Sequence, residues 1–442
     1  VSRASQGTWP ESPRESPQGS PDGRITGALL AMLAVLAGVA PFGIDMYLSA
    51  FPRMATDLHT GATSVQLTLT TFLLGLSAGQ LVFGPLSDRY GRRGPLLLGS
   101  AVFVAASVLT ALAPTITVLV AARLLQGASA AAGMVIGRAV VADLARGRAA
   151  ARAFSLMMIV GGVAPVVAPL LGSVLVGAVG WRGVLLVLAA LALAMFAGSA
   201  LLVPESLPPG RRGTTRRGGF RHLRRRAYLT ATGTLVFSFA VLMAYISASP
   251  FLYQTVIGVG AVPYGLLFAL NALGLVLSSA LSSRLLRRAE PRRVLALGVG
   301  WLLLASLALL ALALTPLGAV WLTVPLFFAV ASLGFILGPA TALALDAVPR
   351  AAGAGSAVVG AAQFGLAALV TPVVGLGGEH TAVPMALAMG GLAVLAGVSY
   401  LLFPAPLPAP REPATAGGGT RPGPPSVPAP TRDLTHSKEQ RS

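Results

Sequence analysis

Two charged side chains stand alone inside long apolar runs, Asp45 in residues 26–50 and Arg123 in residues 116–139. If the runs are helices crossing a bilayer, each charge lies about six or seven residues from the same face, or roughly 9–10 Å deep at 1.5 Å per residue. A charge at the bilayer centre costs ~2.5–3.5 kcal/mol on insertion scales, so one that is kept needs a partner or a task. Burial and a neighbouring guanidinium push the proton affinity of a carboxyl group in opposite directions. A lone acid facing a lone arginine across a shared cavity can therefore work as a proton site, with Asp45 cycling between neutral and charged and Arg123 setting the balance. A static Asp–Arg pair that only fixes helix packing is the alternative.

Other chemistry is thinly represented. The chain has no cysteine, which removes thiol nucleophiles and thiolate metal sites. Its histidines, His59, His222, His380 and His436, lack metal-ligand spacing. Its one lysine, Lys438, is near the C-terminal end, so no P-loop can be assembled. No metal, no cofactor and no enzymatic activity are expected.

The elements that must position Asp45 and Arg123 follow from composition. Of 442 residues 55% are hydrophobic and 10% charged, against about 25% charged in a soluble domain. Mean hydropathy is +0.78. Twelve apolar segments are each close to the ~20 residues a membrane helix needs: 26–50, 63–85, 94–113, 116–139, 153–178, 183–203, 228–251, 262–283, 293–313, 317–343, 354–376 and 382–403. The runs are long and lack two-residue alternation, so helices rather than barrel strands are expected. An arginine-rich linker, 204–227, divides them into two six-helix bundles, 26–203 and 228–403, the pattern of two parallel repeats around a midplane site. Residues 1–25 and 404–442, rich in Pro, Gly and Ser, read as disordered tails.

The net charge of +18 follows topology rather than nucleic acid binding. If both termini are cytoplasmic, 29 of the 32 basic residues fall in cytoplasmic tails and loops, with Arg138 counted in the loop before span 5. Only Arg53 and Arg182 lie in outer loops, and Arg123 lies in a span. That bias is the positive-inside pattern of an inner-membrane protein. The eight linker arginines set orientation or touch anionic lipid headgroups.

Three stretches point to a family. Gly84-Pro-Leu-Ser-Asp88-Arg89-Tyr-Gly91-Arg92-Arg93 resembles the loop signature of the major facilitator superfamily. Arg123-Leu-Leu-Gln126-Gly127 resembles its intramembrane arginine motif. Gly161-Gly162-Val-Ala-Pro165-Val-Val-Ala-Pro169-Leu-Leu-Gly172 is similar to the antiporter motif of drug/proton exchangers. Ile44-Asp45-Met46-Tyr47-Leu48, Ser249-Pro250-Phe251-Leu252-Tyr253 and Leu345-Asp346 resemble the Bcr/CflA drug-resistance transporters. Ala142 stands where that family often has an arginine, before Asp143. The resemblance implies an all-α membrane protein of the major facilitator fold, exporting small drug-like antibiotics in exchange for protons. Asp88 with Gly84 and Gly91 would latch one bundle on the other as a gate, beside Arg89, Arg92 and Arg93. The Gly/Pro period in span 5 would form a leak-tight hinge. Ordinary close packing is the alternative there, since the chain has 52 glycines. Tyr47, Gln126, Tyr245, Tyr253, Asn271 and Gln363 are polar residues in or ending spans and are candidates for lining a substrate cavity. Interhelical hydrogen bonding is the competing role for each. A monomer in the lipid bilayer is expected. The same machinery would serve an exporter of an endogenous metabolite or a self-made antibiotic. A membrane sensor or scaffold on this fold would need a signalling domain, which neither tail resembles.

Overall fold

The computed structural model describes residues 26–213, 223–349 and 352–403. The tails 1–25 and 404–442 and most of the arginine-rich linker lie outside the described residues. Among the described residues all regular structure is helical: α1 (Gly27–Asp45), α2 (Phe51–Asp57), α3 (Ala62–Tyr90), α4 (Arg93–Ala111), α5 (Ile116–Leu144), α6 (Gly147–Leu202), α7 (Arg226–Phe251), α8 (Ala261–Leu285), α9 (Pro291–Ala313), α10 (Thr323–Ser332), α11 (Leu337–Asp346), α12 (Ala352–Gly375) and α13 (Val383–Leu401). Eleven continuous helical runs are long and apolar enough to cross a membrane. The longest, α6, holds two crossings. Its 56 residues would reach ~84 Å if straight, far beyond a ~30 Å hydrocarbon core. The chain reverses at Gly180, whose φ of 67° and ψ of 178° are the only non-helical backbone angles inside α6. That left-handed φ is open to glycine and costly for other residues. The expected boundary between spans 5 and 6 falls at this residue.

Local chemistry sets several ends. Thr26 caps α1 by accepting the Leu29 N–H, and Thr115 caps α5 by accepting the Val118 N–H. Span 1 unwinds after Asp45 into a 3-10 turn at Leu48–Ala50, and α2 restarts with Pro52 in its first turn. Span 7 ends in a π-helical turn, Leu252–Val256, directly after Pro250. Span 10 is broken by a 3-10 turn at Leu333–Phe335 between α10 and α11. Span 4 is longer than its apolar run. It continues to Leu144, and Arg138, inside the 116–139 segment although counted with the loop charges, belongs to the helix.

Small residues set the closest packing. A Cβ on Gly75 or Gly79 of α3 would overlap backbone carbonyl oxygens of α5, and one on Gly127 of α5 would overlap that of Phe72. This is the small-residue approach of membrane helices. α3 also packs along α12, and α6 along α8. Four side-chain hydrogen bonds join the first six spans to the last six among the described residues. They run from Thr63 Oγ1 to the Gly375 carbonyl (2.7 Å), Gln66 Nε2 to Ser247 (3.1 Å), Ser77 Oγ to Ala361 (2.8 Å) and Gln254 Nε2 to Ser49 (3.1 Å), all ending on main-chain oxygens. Three lie at or near the end opposite the loop arginines, and Ser77 sits in mid-span. The outward surface is apolar, with Leu201 84% and Leu304 71% exposed, as suits side chains that face lipid.

Candidate functional site

Arg123 is fully buried, and every face of its guanidinium is occupied. NH1 donates to Gln126 Oε1 (2.6 Å) and NH2 to the Gly43 carbonyl (2.8 Å). The rings of Tyr47 and Phe72 sandwich it, with centroids 4.2 and 4.3 Å from Cζ, a desolvated cation–π arrangement. Gln126 Nε2 donates onward to Ser107 Oγ at 2.7 Å, and the Tyr47 hydroxyl lies 3.0 Å from Thr68 Oγ1. Tyr47 and Gln126, expected as cavity candidates, are themselves 0% exposed. Their side chains are committed to Arg123, Ser107 and Thr68, so they do not line an open cavity in this structure.

Asp45 is the last residue of α1 and 2% exposed, and its Oδ1 has no hydrogen-bond partner. The expected pairing with Arg123 is absent: among the described residues no ion pair joins them. Arg123 reaches Gly43 on the same helix. Asp45 is two residues further, about 200° round the helix. It faces α7 and α8, close enough to Tyr245 and Tyr264 to interact electrostatically with both. Those residues form a second polar cluster. Asn271 Nδ2 donates to the hydroxyls of Tyr245 (3.0 Å) and Tyr253 (3.3 Å), and Tyr264 lies 3.3 Å from Ser249 Oγ. Three of the expected candidates, Tyr245, Tyr253 and Asn271, thus come together here, and sequence spacing gave no sign of Tyr264. Tyr253 and Asn271 also line a small cavity of about 230 Å³ beside α10. Gln363, half-buried on α12, makes no hydrogen bond among the described residues and joins neither cluster. The unwound turn after Asp45 and the π-turn carrying Tyr253 are tied by the Gln254–Ser49 hydrogen bond. Broken helices with free backbone groups are where transporters place their sites. A larger groove of about 790 Å³ is lined by apolar residues that include Trp301, Trp321 and Leu304, and Asp45 is not among them.

At the arginine-bearing end, Arg92 organises the α3–α4 loop. Its Nε donates to Asp143 Oδ2 (2.9 Å), and NH1 donates to Asp88 and to Ser87 Oγ. Arg89 packs on the ring of Tyr90. Gly91 has a φ of 95°, and a Cβ there would overlap Glu205 Oε2. Gly84 has only an ordinary contact with Val135. The expected latch between bundles is not made in this structure. The partners of Asp88 belong to the loop or, through the Gly213 N–H, to the linker, and among the described residues no side-chain hydrogen bond bridges the two groups of spans at this end. Glu205 and Asp143 pair with Arg212 and Arg92 and are structural to the loop. Glu205 accepts the N–H groups of Arg92 (2.8 Å) and Arg93 (3.3 Å), capping α4 from a distant segment. Burial pushes its carboxyl up, but the N–H groups of Arg92, Leu207 and Arg93 and the charge of Arg212 outweigh this and hold it below the usual glutamate range. Its contribution is therefore full above that range and lost as pH falls through the depressed value. Glu205→Ala is expected to lower the melting temperature at pH 7 by about 1–2 °C, the exposed setting limiting the effect. The gap to wild type should close on acidification. A gap constant down to pH 3 would contradict this.

In α6 the Gly/Pro motif divides. Gly172 lies against the Met46 carbonyl, at the break that follows Asp45. Gly161 and Gly162 have nothing within 4 Å of a Cβ. Pro169 and Ser173 meet Gly265 of α8, and α6 stays helical through Pro165 and Pro169.

The fold and these motifs define a class. The family model described as Major Facilitator Superfamily matches residues 33–372, and the chain belongs to that superfamily, as a multi-pass membrane transporter and not an enzyme. Within it the chain is similar to drug-resistance relatives. It is 36% identical over 380 residues to the uncharacterized MFS-type transporter YdgK of Bacillus subtilis, covering 84% of this chain and 94% of that one. It is 29% identical to the bicyclomycin resistance protein homolog of Haemophilus influenzae, over 85% and 96% of the two chains. Among solved structures, the D-xylose-proton symporter superposes with a TM-score of 0.68 at 16% identity, over 86% of this chain and 98% of that one.

Proposed function

We propose that this transporter exports small amphipathic, drug-like molecules in exchange for protons by alternating access, with both termini cytoplasmic and residues 26–203 and 228–403 moving as two six-helix bundles. The observation that carries the reading is Asp45: a buried carboxyl group with an unpartnered oxygen, at a helix break, beside the Tyr245–Asn271–Tyr253 cluster of the other bundle. An uncompensated charge there is costly, and taking up a proton removes it. Proton release would then follow a change in what faces Asp45, either substrate arrival or separation of α1 from α7 and α8. Arg123 supports the site from behind, gripping the Gly43 carbonyl and the Tyr47 ring that flank the acid. The bicyclomycin resistance name of one relative supports an antibiotic substrate.

The test is growth of an efflux-deficient host carrying this chain against an antibiotic panel, with and without a protonophore. Resistance that the protonophore removes is expected. Resistance that survives collapse of the gradient would sink proton coupling. Asp45 is the one acid within the twelve apolar segments. Neutral or zwitterionic compounds should therefore be exported in preference to permanent dications, and robust Asp45-dependent export of a dication would contradict this.

A further inference from the structure

We propose that Arg138 is a binding subsite for a carboxylate group of the transported molecule, so that amphipathic carboxylates, monoanionic or zwitterionic, are preferred cargo. The inference rests on the transport reading above and adds a ligand class to it.

Arg138 lies six residues before the end of α5 at Leu144, about 9 Å inside the arginine-bearing end. Its direction follows from its neighbours on the helix. Gly133 and Gly137 face α1, where a Cβ would meet Leu36. Val135 faces α3, 3.9 Å from a Cβ on Gly84. At about 100° per residue, Arg138 lies about 60° from the α3-facing Val135 and about 120° from Ala132, which packs on Gly99 of α4. It is exposed there although it sits within a membrane helix.

It also has no partner. Among the described residues Arg138 makes no hydrogen bond or ion pair, in contrast to Arg123 and Arg92. The nearest acid in sequence, Asp143, is about 140° further round α5 and is used by Arg92 and Ser206. Asp88 is used by Arg92 as well. Among the described residues the cross-bundle side-chain hydrogen bonds are those of Thr63, Gln66, Ser77 and Gln254, none of them at this end. A free guanidinium inside a span is costly unless it meets an anion. Its planar fork matches a carboxylate with two parallel hydrogen bonds. The described residues of the spans supply no such carboxylate, and a passing substrate can.

The experiment uses the full chain in lipid nanodiscs with no gradient, titrated with pyrene-1-butyrate and, separately, its methyl ester. The wild type should bind the acid at least tenfold more tightly than the ester. Arg138→Gln should bring the two to equal affinity while leaving ester binding unchanged, which also shows that the variant is folded. Arg138→Lys should keep part of the preference. Equal affinities in the wild type, no binding of the acid, or a preference that survives Arg138→Gln would overturn the proposal. Asp45→Asn should keep the acid preference, since it leaves Arg138 untouched. Loss of proton coupling with the preference intact, or the reverse, tells which of the two readings has failed.

Discussion

Asp45→Asn is expected to reduce proton-driven efflux to the level of membranes lacking the transporter, with insertion and expression unchanged. Asparagine keeps the shape and a polar oxygen but cannot take up or release a proton near neutral pH. The neighbours of Asp45 include no cation whose loss of a partner would unfold the region, since Arg123 is satisfied by Gly43, Gln126 and two aromatic rings. The defect should thus be in coupling rather than folding. Drug binding and gradient-independent exchange of labelled for unlabelled drug should persist, while efflux in everted vesicles energised by a pH gradient should vanish. Full gradient-driven efflux by the variant would remove Asp45 from the mechanism. Loss of exchange as well would make it a structural residue.

The second large effect is expected at Gly172. A methyl group at this position meets the main-chain oxygen of Met46, which cannot rotate away as a side chain could. Overpacking of this kind costs ~1–3 kcal/mol and occasionally more. Here it also bears on the unwound segment that presents Asp45. Gly172→Ala should lose thermal stability and transport together. Gly161→Ala and Gly162→Ala, with open space around them, should retain wild-type stability, and their shared motif would then be functionally uneven. Melting curves of the three purified variants by intrinsic tryptophan fluorescence decide the matter. Equal melting temperatures for all three would show that α6 and the α1 break are free to separate.

The architecture could be read from the sequence because apolar length is a strong signal. The fold class, the twelve crossings and the reversal near Gly180 all followed from it. The site was legible in depth but not in azimuth. Counting residues placed Asp45 and Arg123 at one level, yet a helix turns about 100° per residue, and nothing in the spacing said that Gly43, not Asp45, faces the arginine. Arg138 was passed over as well, because it stands at the end of the apolar run 116–139 and was counted with the loop charges, while α5 runs on to Leu144. The same blindness hid Glu205, whose partners are the N–H groups of Arg92 and Arg93, more than a hundred residues away. An acid at the end of one span facing the basic loop of another was the available hint. Tyr245, Tyr253 and Asn271 were identifiable one by one as polar groups in oil, but their shared hydrogen bonds arise from tertiary packing.

Among the described residues, the seam between the two groups of spans is fastened by side-chain donors that all end on peptide oxygens of the opposite group. Such acceptors are present at every residue, whatever its identity. A donor that leaves one finds another a helical step away, so sliding α3 along α12 trades one bond for a similar one instead of breaking a matched pair. The contact works as a bearing rather than a lock. Substitutions on the α12 side can accumulate without disabling it, provided its helix stays intact and its small residues stay small.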